Sequence, residues 1–264
     1  VDVIRATTTL AVFFEQGCSR VLVASSLATA REARRALGPS YLLAGEEEGA
    51  RPPGFDLGNS PADAAASELR GRQIIFATTN GTHALRACIG GRAVLAGALR
   101  NARAVGTLAY LLAASGCGHA GDRHPRDAGS AAPAEAATFE AQPDIHIVCA
   151  GRDGRAAYDD TLCAGYLTRI IIERAETTGG SHIALGEGAR IALAVVEEAE
   201  RSGPLSAALA ASAAARSLER IGLTADVDWY AAADTTDLVP RVVAVDRQHD
   251  LLVVEASPLE PAGS

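Results

Sequence analysis

Three stretches of the chain repeat one local order, an apolar run, then a turn of small polar residues, then a helical period. No other feature restricts the fold as much. The first runs from Val1 to Gln16, with Arg5-Ala6-Thr7-Thr8-Thr9 leading into Leu10-Ala11-Val12-Phe13-Phe14. The second is Ile74-Ile75-Phe76-Ala77, then Thr78-Thr79-Asn80-Gly81-Thr82, then His83 to Cys88. The third is Ile145 to Ala150, a turn over Gly151 to Gly154, and a helical stretch over 159–176. Strand, polar turn and helix in that order predict an α/β fold, a layered parallel or mixed sheet with helices packed on its faces.

Further elements fit the same scheme. Arg20 to Ala24 reads as a strand followed by a helix over Leu27 to Leu37, and Tyr41 to Ala44 as a strand entering the acidic turn Gly45-Glu46-Glu47-Glu48-Gly49. Ala93 to Gly97 reads as a short buried strand before a helix over 102–114. Ala-rich helices over 186–200 and 204–221 and strands over 239–245 and 251–255 complete the prediction. The expectation is one domain over 1–264, or two closely packed halves, 1–115 and 144–258. Between them, residues 116–143 alternate Gly, Ala, Pro, Asp and His without an apolar period and read as a flexible insertion. His119 and His124 fall in that insertion and read as solvated loop residues rather than metal ligands.

Charge and cysteine usage exclude several classes. The formal net charge is -8, which argues against a nucleic-acid or anionic-membrane partner, since both need a basic face. It leaves room for a small anionic phosphorylated substrate held by a local site. No apolar run reaches the length of a membrane span. Five cysteines without a C-x-x-C pair indicate neither a disulfide framework nor a zinc knuckle, and fit a reducing cytoplasm. The Ala-rich C-terminal helices offer packing surfaces for a homo-oligomer. The chain starts at Val1 and has no Met, so a truncated or misassigned start is expected.

Four constellations could carry chemistry. In Asp2 to Thr9 a carboxylate, an Arg and three hydroxyls lie at a helix start, where free N–H groups and the dipole favour anions. Arg adds a bidentate fork for phosphate or sulfonate oxygens. The competing reading makes one Thr an N-cap and Arg5 a surface residue. In Gly54 to Pro61, a turn and helix cap explain Gly58, Ser60 and Pro61 but not Asp56 or Asn59. Thr78 to Thr82 forms a second anion-ready turn, without the Gly-Lys-Ser/Thr of a Walker A loop. Cys149 to Gly154 leads to Asp159 and Asp160, adjacent carboxylates that a helix dipole stabilises and of which one could ligate Mg²⁺. No Asp-x-Asp, Cys-x5-Arg, Gly-x-Ser-x-Gly or Gly-x-Gly-x-x-Gly signature is present. Cys149 reads as a small buried thiol rather than a nucleophile.

In order and spacing, Asp2–Thr9, Gly54–Pro61, Thr78–Thr82 and Cys149–Gly165 resemble the 2-phosphosulfolactate phosphatase family of coenzyme M biosynthesis. Gly97 with Asn101 is similar to that family's strand-to-helix turn, with Ala98 where Ser is usual. Asp159-Asp160 replaces Glu-Asp, the 116–143 stretch is longer than expected, and the family has a further segment before its first motif. The resemblance implies an α/β, Mg²⁺-dependent phosphatase that converts 2-phosphosulfolactate to 3-sulfolactate and phosphate. By position it implies catalytic roles for Asp2, Arg5, Asn80 and Asp160, and substrate contacts from Thr7, Asn59, Thr79, Gly81 and Asn101. Asp2, Glu46, Asp56 and Asp160 are the inferred metal ligands. The nucleophile is either a metal-bound water or the Asp2 carboxylate itself. The alternatives to this activity are a phosphatase of another phospho-hydroxy acid and a binder of an anionic metabolite with little or no turnover.

Overall fold

The computed structural model describes residues 1–115, 144–179 and 183–259. Five strands form one mixed sheet: β1 (Arg20–Ala24), β2 (Leu42–Gly45), β3 (Gln73–Ala77), β4 (Leu238–Asp246) and β5 (Leu251–Pro258). Their spatial order is β2-β3-β1-β5-β4. β2, β3 and β1 run parallel, while β5 is antiparallel to β1 and to β4. The α/β class read from the sequence is the class observed.

Alternation along the strands sorts the core. Val21, Val23, Ile74 and Phe76 face α1 (Ala6–Glu15) and α3 (Pro61–Ala65), and Phe13 meets Phe76 edge-to-face at 5.4 Å between ring centroids. Leu22, Ile75 and Leu43 point to the other face, against Ala30 and Ala33 of α2 (Leu27–Leu37). α2 begins where Ser26 accepts the Thr29 N–H, a side-chain N-cap.

α4 (Gly81–Ala87) follows β3, and α5 (Ala102–Ser115) follows a 3₁₀ turn at Leu99–Asn101. Beyond them lie α6 (Tyr158–Thr177), α7 (Glu187–Ser202), α8 (Leu205–Ala210), α9 (Ala213–Glu219) and α10 (Val227–Ala231). These helices share a third apolar cluster, including Leu99, Leu162, Val196, Leu209 and Tyr230, with Val3 at its edge. α6 and α7 approach so closely at Gly165 that a Cβ there would lie 2.0 Å from the Ala192 carbonyl oxygen. No helix among the described residues is long and apolar enough to cross a membrane.

Several expected elements take another form. Ala93–Gly97 is not a ladder strand. Ala96 N–H donates to Pro240 O and Val242 N–H to Val94 O, so the segment touches the β4 edge over one short stretch. Ile145–Ala150 is extended without forming a strand, because two bonds to Val1 are all the backbone pairing it makes among the described residues. The single helix expected over 204–221 is split at Ser212, whose hydroxyl caps α9 by accepting the Ala215 N–H. The insertion at 116–143, with His119 and His124, lies outside the described residues.

Candidate active site

The turn from Asp2 to Arg5 is built by its own hydroxyls. Thr7 Oγ1 donates to Asp2 O at 2.8 Å and accepts the Asp2 N–H at 3.0 Å, and Thr8 Oγ1 donates to Val3 O. Thr9 Oγ1 reaches across to the Asn59 carbonyl. The three threonines therefore fix the loop and its neighbour. Thr7, expected at the substrate, spends its hydroxyl on the backbone of Asp2.

Asp160, in the first turn of α6, ties that loop to the preceding turn. Its Oδ1 accepts the Val3 N–H and its Oδ2 the Gly151 N–H, both at 2.9 Å. The Ile4 N–H acts on Asp159, and the Ala6 N–H at the start of α1 on Asp2, each lowering the carboxyl it faces. Three buried carboxylates thus meet at two helix N-termini. Burial, and then the charge of Asp160, push Asp2 up to about 7 and Asp159 up to about 7. Burial also raises Asp160. These helix ends favour carboxylates, yet burial and mutual repulsion outweigh them.

On the other side of the loop, Glu46 gathers a second group. Its Oε1 accepts both the Thr79 N–H (2.8 Å) and hydroxyl (2.7 Å), and its Oε2 accepts the Gly49 N–H. Although burial works to raise it, the Thr79 and Gly49 bonds with the nearby Arg5 hold Glu46 below its usual value. Arg5 is 6% exposed. One Nη2 bond to Gly49 O at 2.8 Å is the only protein contact of its guanidinium within hydrogen-bonding range among the described residues, and Glu46 lies at 4.0 Å. A guanidinium carries five N–H donors, so most of its capacity is left for an anion.

The remaining predicted residues divide. Gly81 lies directly against Asp2, and Asn80 is half-buried at the start of α4 with no cap bond from its side chain. Asn59 is buried beside α1. Asn101 spends its amide on its own turn, accepting from Ala98 N–H and donating to Ala96 O and Leu238 O. Asp56 accepts from Leu43 N–H and pairs with Arg34, next to α2. Neither Asn101 nor Asp56 shares a contact with Asp2 or Arg5.

The four inferred metal ligands are therefore not gathered in one set, and no group of three His, Cys, Asp or Glu among the described residues is arranged to hold a metal ion. What suits Mg²⁺ is the donor chemistry of Asp2, Asp159 and Asp160. These are hard carboxylate oxygens with crowded, buried negative charge, and Mg²⁺ completes its shell with water. Burial raises the Cys149 thiol and holds it protonated.

A cavity of about 510 Å³ touches Asp2, Thr7 and Gly81 but is walled mainly by apolar side chains such as Val94, Leu95 and Leu167. Arg5, Glu46 and Thr79 do not line it, and such walls offer a dianion few donors, so the polar chemistry is centred on Arg5.

Sequence reasoning did not find Asp226 and Tyr230, which lie behind the 59–62 turn. No local pattern marks them, because Ser60, the partner of Asp226, is more than 160 residues away in sequence and Tyr230 joins the turn only through Asp226.

A family model described as 2-phosphosulpholactate phosphatase matches residues 1–115 and 130–244. A protein of Deinococcus radiodurans named "Probable 2-phosphosulfolactate phosphatase" is 35% identical over 247 residues, 93% of this chain and 87% of the relative. One of the same name from Thermus thermophilus is 38% identical over 240 residues, 91% of this chain and 85% of its own. A third, from Carboxydothermus hydrogenoformans, is 30% identical over 98% of this chain and 90% of its own.

Proposed function

Because this chain belongs to the 2-phosphosulfolactate phosphatase family, we propose that it hydrolyses 2-phosphosulfolactate to 3-sulfolactate and phosphate, with Mg²⁺ as cofactor. The observation that carries this reading is Arg5: a buried guanidinium with most of its donors unspent, set in one loop with Asp2 and backed by Glu46. Four unpaired cysteines among the described residues support a cytoplasmic setting.

In this reading the Arg5 fork binds two phosphate oxygens. Glu46 keeps Arg5 and the Thr79 turn in place, and the Asn80 amide adds a neutral donor. Water attacks phosphorus as the ester P–O bond breaks. The Asp159 carboxylate takes the proton from water and hands it on to the leaving alkoxide oxygen, so that no proton is gained or lost. Asp2 and Asp160 would offer carboxylate oxygens to Mg²⁺, with water completing its shell, and the ion when bound supplies charge neutralisation on the phosphate oxygens. Positioning and charge stabilisation account for most of the catalysis of phosphoryl transfer.

The test is phosphate release from 2-phosphosulfolactate and from a panel of phospho-hydroxy acids, each with Mg²⁺ and with EDTA. Metal-dependent release that favours 2-phosphosulfolactate is expected. Equal release in EDTA would remove the cofactor, and no release above buffer would overturn the reading.

A further inference from the structure

Two buried asparagines lie at turns of this protein and use their amides in opposite ways. Asn101 satisfies its own turn completely, as described above. Asn59 is 4% exposed, and its Oδ1 is buried without a hydrogen-bond partner among the described residues. A buried polar atom in that state costs free energy, so its persistence needs a reason.

The main chain around Asn59 is held firmly. Its carbonyl accepts the Thr9 hydroxyl one helical turn beyond Arg5. The next residue, Ser60, caps α3 by accepting the Asp63 N–H and donates its own hydroxyl to Asp226 Oδ1 at 2.7 Å. Asp226 Oδ1 also accepts the Ala62 N–H, and its Oδ2 accepts the Tyr230 hydroxyl at 3.1 Å. Asp226 and Tyr230 are both buried, and Asp226 makes no ion pair among the described residues.

A carboxylate buried among neutral donors is a poor way to join two helices, since apolar packing of the same volume serves stability as well or better. What the arrangement does achieve is a fixed Asn59–Ala62 turn. It does so beside the anion site, because the Asn59 carbonyl is bonded to Thr9 in the first turn of the helix that Arg5 opens.

We propose that Asp226 and Tyr230 are positioning residues of the active site, which lock the Asn59–Ala62 turn so that the Asn59 NH₂, which donates to no group among the described residues, is kept for the anion bound at Arg5 while its buried Oδ1 cannot turn to water. The C-terminal helices thereby complete a site whose recognisable motifs all lie before them. This rests on the phosphatase reading above.

A double-mutant cycle on kcat/KM tests it, with the full chain and variants Asn59→Ala, Tyr230→Phe and the two combined. Tyr230→Phe keeps the ring and its packing and removes only the hydroxyl. Asn59→Ala is expected to lower kcat/KM about 10- to 100-fold, and Tyr230→Phe about 10-fold. The double variant should be no worse than Asn59→Ala alone, because the tyrosine acts through the asparagine. Inorganic phosphate affinity by calorimetry should follow the same non-additive pattern. A purely structural tyrosine would lower the unfolding temperature and add its kinetic loss to that of Asn59→Ala, which would overturn the inference, as would an Asn59→Ala protein of wild-type kcat/KM. An inactive wild type that also fails to bind phosphate would instead overturn the phosphatase reading together with this inference.

Discussion

Gly81 packs against Asp2 so closely that a Cβ on the glycine would lie 2.6 Å from the Asp2 Oδ2 and 2.5 Å from the Cβ of Ala6. The start of α4 and the loop before α1 are therefore fitted to each other, and the fit sets where the Asp2 carboxylate points.

Gly81→Ala should consequently disturb both. The added methyl meets backbone-anchored atoms that cannot swing away, a form of overpacking that costs about 1–3 kcal/mol. Denaturant unfolding should show that loss, and phosphate release should fall with it. Wild-type stability and activity in this variant would mean that the loop is looser than described.

Asp160 is the acceptor for two N–H groups from two different segments, Val3 and Gly151. Asp160→Ala leaves the buried Val3 N–H without a partner, at about 1–3 kcal/mol, and the part-buried Gly151 N–H at less. Asp160→Asn keeps one carbonyl oxygen and should fall between the wild type and the alanine variant in urea titrations. Equal stabilities for all three would contradict the linking role.

The pH dependence of stability follows from the raised carboxyls. Asp2 and Asp159 stand at about 7 in the folded protein against 3.8 for the free side chain. Between those values the folded state binds more protons than the unfolded one, so stability falls as pH rises. The contribution is fully present below the unfolded value and is lost as pH rises through about 7. In metal-free protein, Asp159→Asn should therefore gain on the wild type as pH rises from about 5 to about 8, by at most about 1.4 kcal/mol per pH unit. Thermal unfolding in EDTA across that range checks the sign. A variant that loses ground with rising pH would refute it.

Cys149 is a thiol kept protonated by burial, with its Sγ near Asp160 O at 3.5 Å. Since the thiolate is the nucleophilic form, Cys149→Ser should retain kcat within about threefold of wild type. A loss of several orders of magnitude would move the chemistry to sulfur.

The sequence was most informative where a local pattern suffices. α2 was readable from its apolar spacing, and the parallel strands from apolar runs bounded by turns. Asp2, Arg5 and Asp160 stand out in the sequence because each lies beside a helix start with a recognisable run of residues. Ala93–Gly97 and Ile145–Ala150 look equally strand-like, yet strand formation depends on a partner ladder, which composition does not record. Asp56 looked like a site residue because its turn did not need it, but Leu43 N–H and Arg34 take up its carboxylate. Asp226 was invisible for the converse reason, since its value lies entirely in contacts made across the fold to Ser60 and Ala62. α10, only five residues long, carries too little period to be seen.

Asp2 is a buried carboxylate that costs the folded protein stability, and the proposed hydrolysis depends on it. Asp2→Asn separates the two effects in one comparison of kcat/KM for 2-phosphosulfolactate at saturating Mg²⁺, with unfolding temperature as the control for folding. The prediction is a fall of at least about 100-fold in kcat/KM, together with an unfolding temperature in EDTA at about pH 8 equal to or above that of the wild type, because a buried charge has been removed. An Asp2→Asn protein that turns over 2-phosphosulfolactate with the wild-type kcat/KM would contradict the account at its centre.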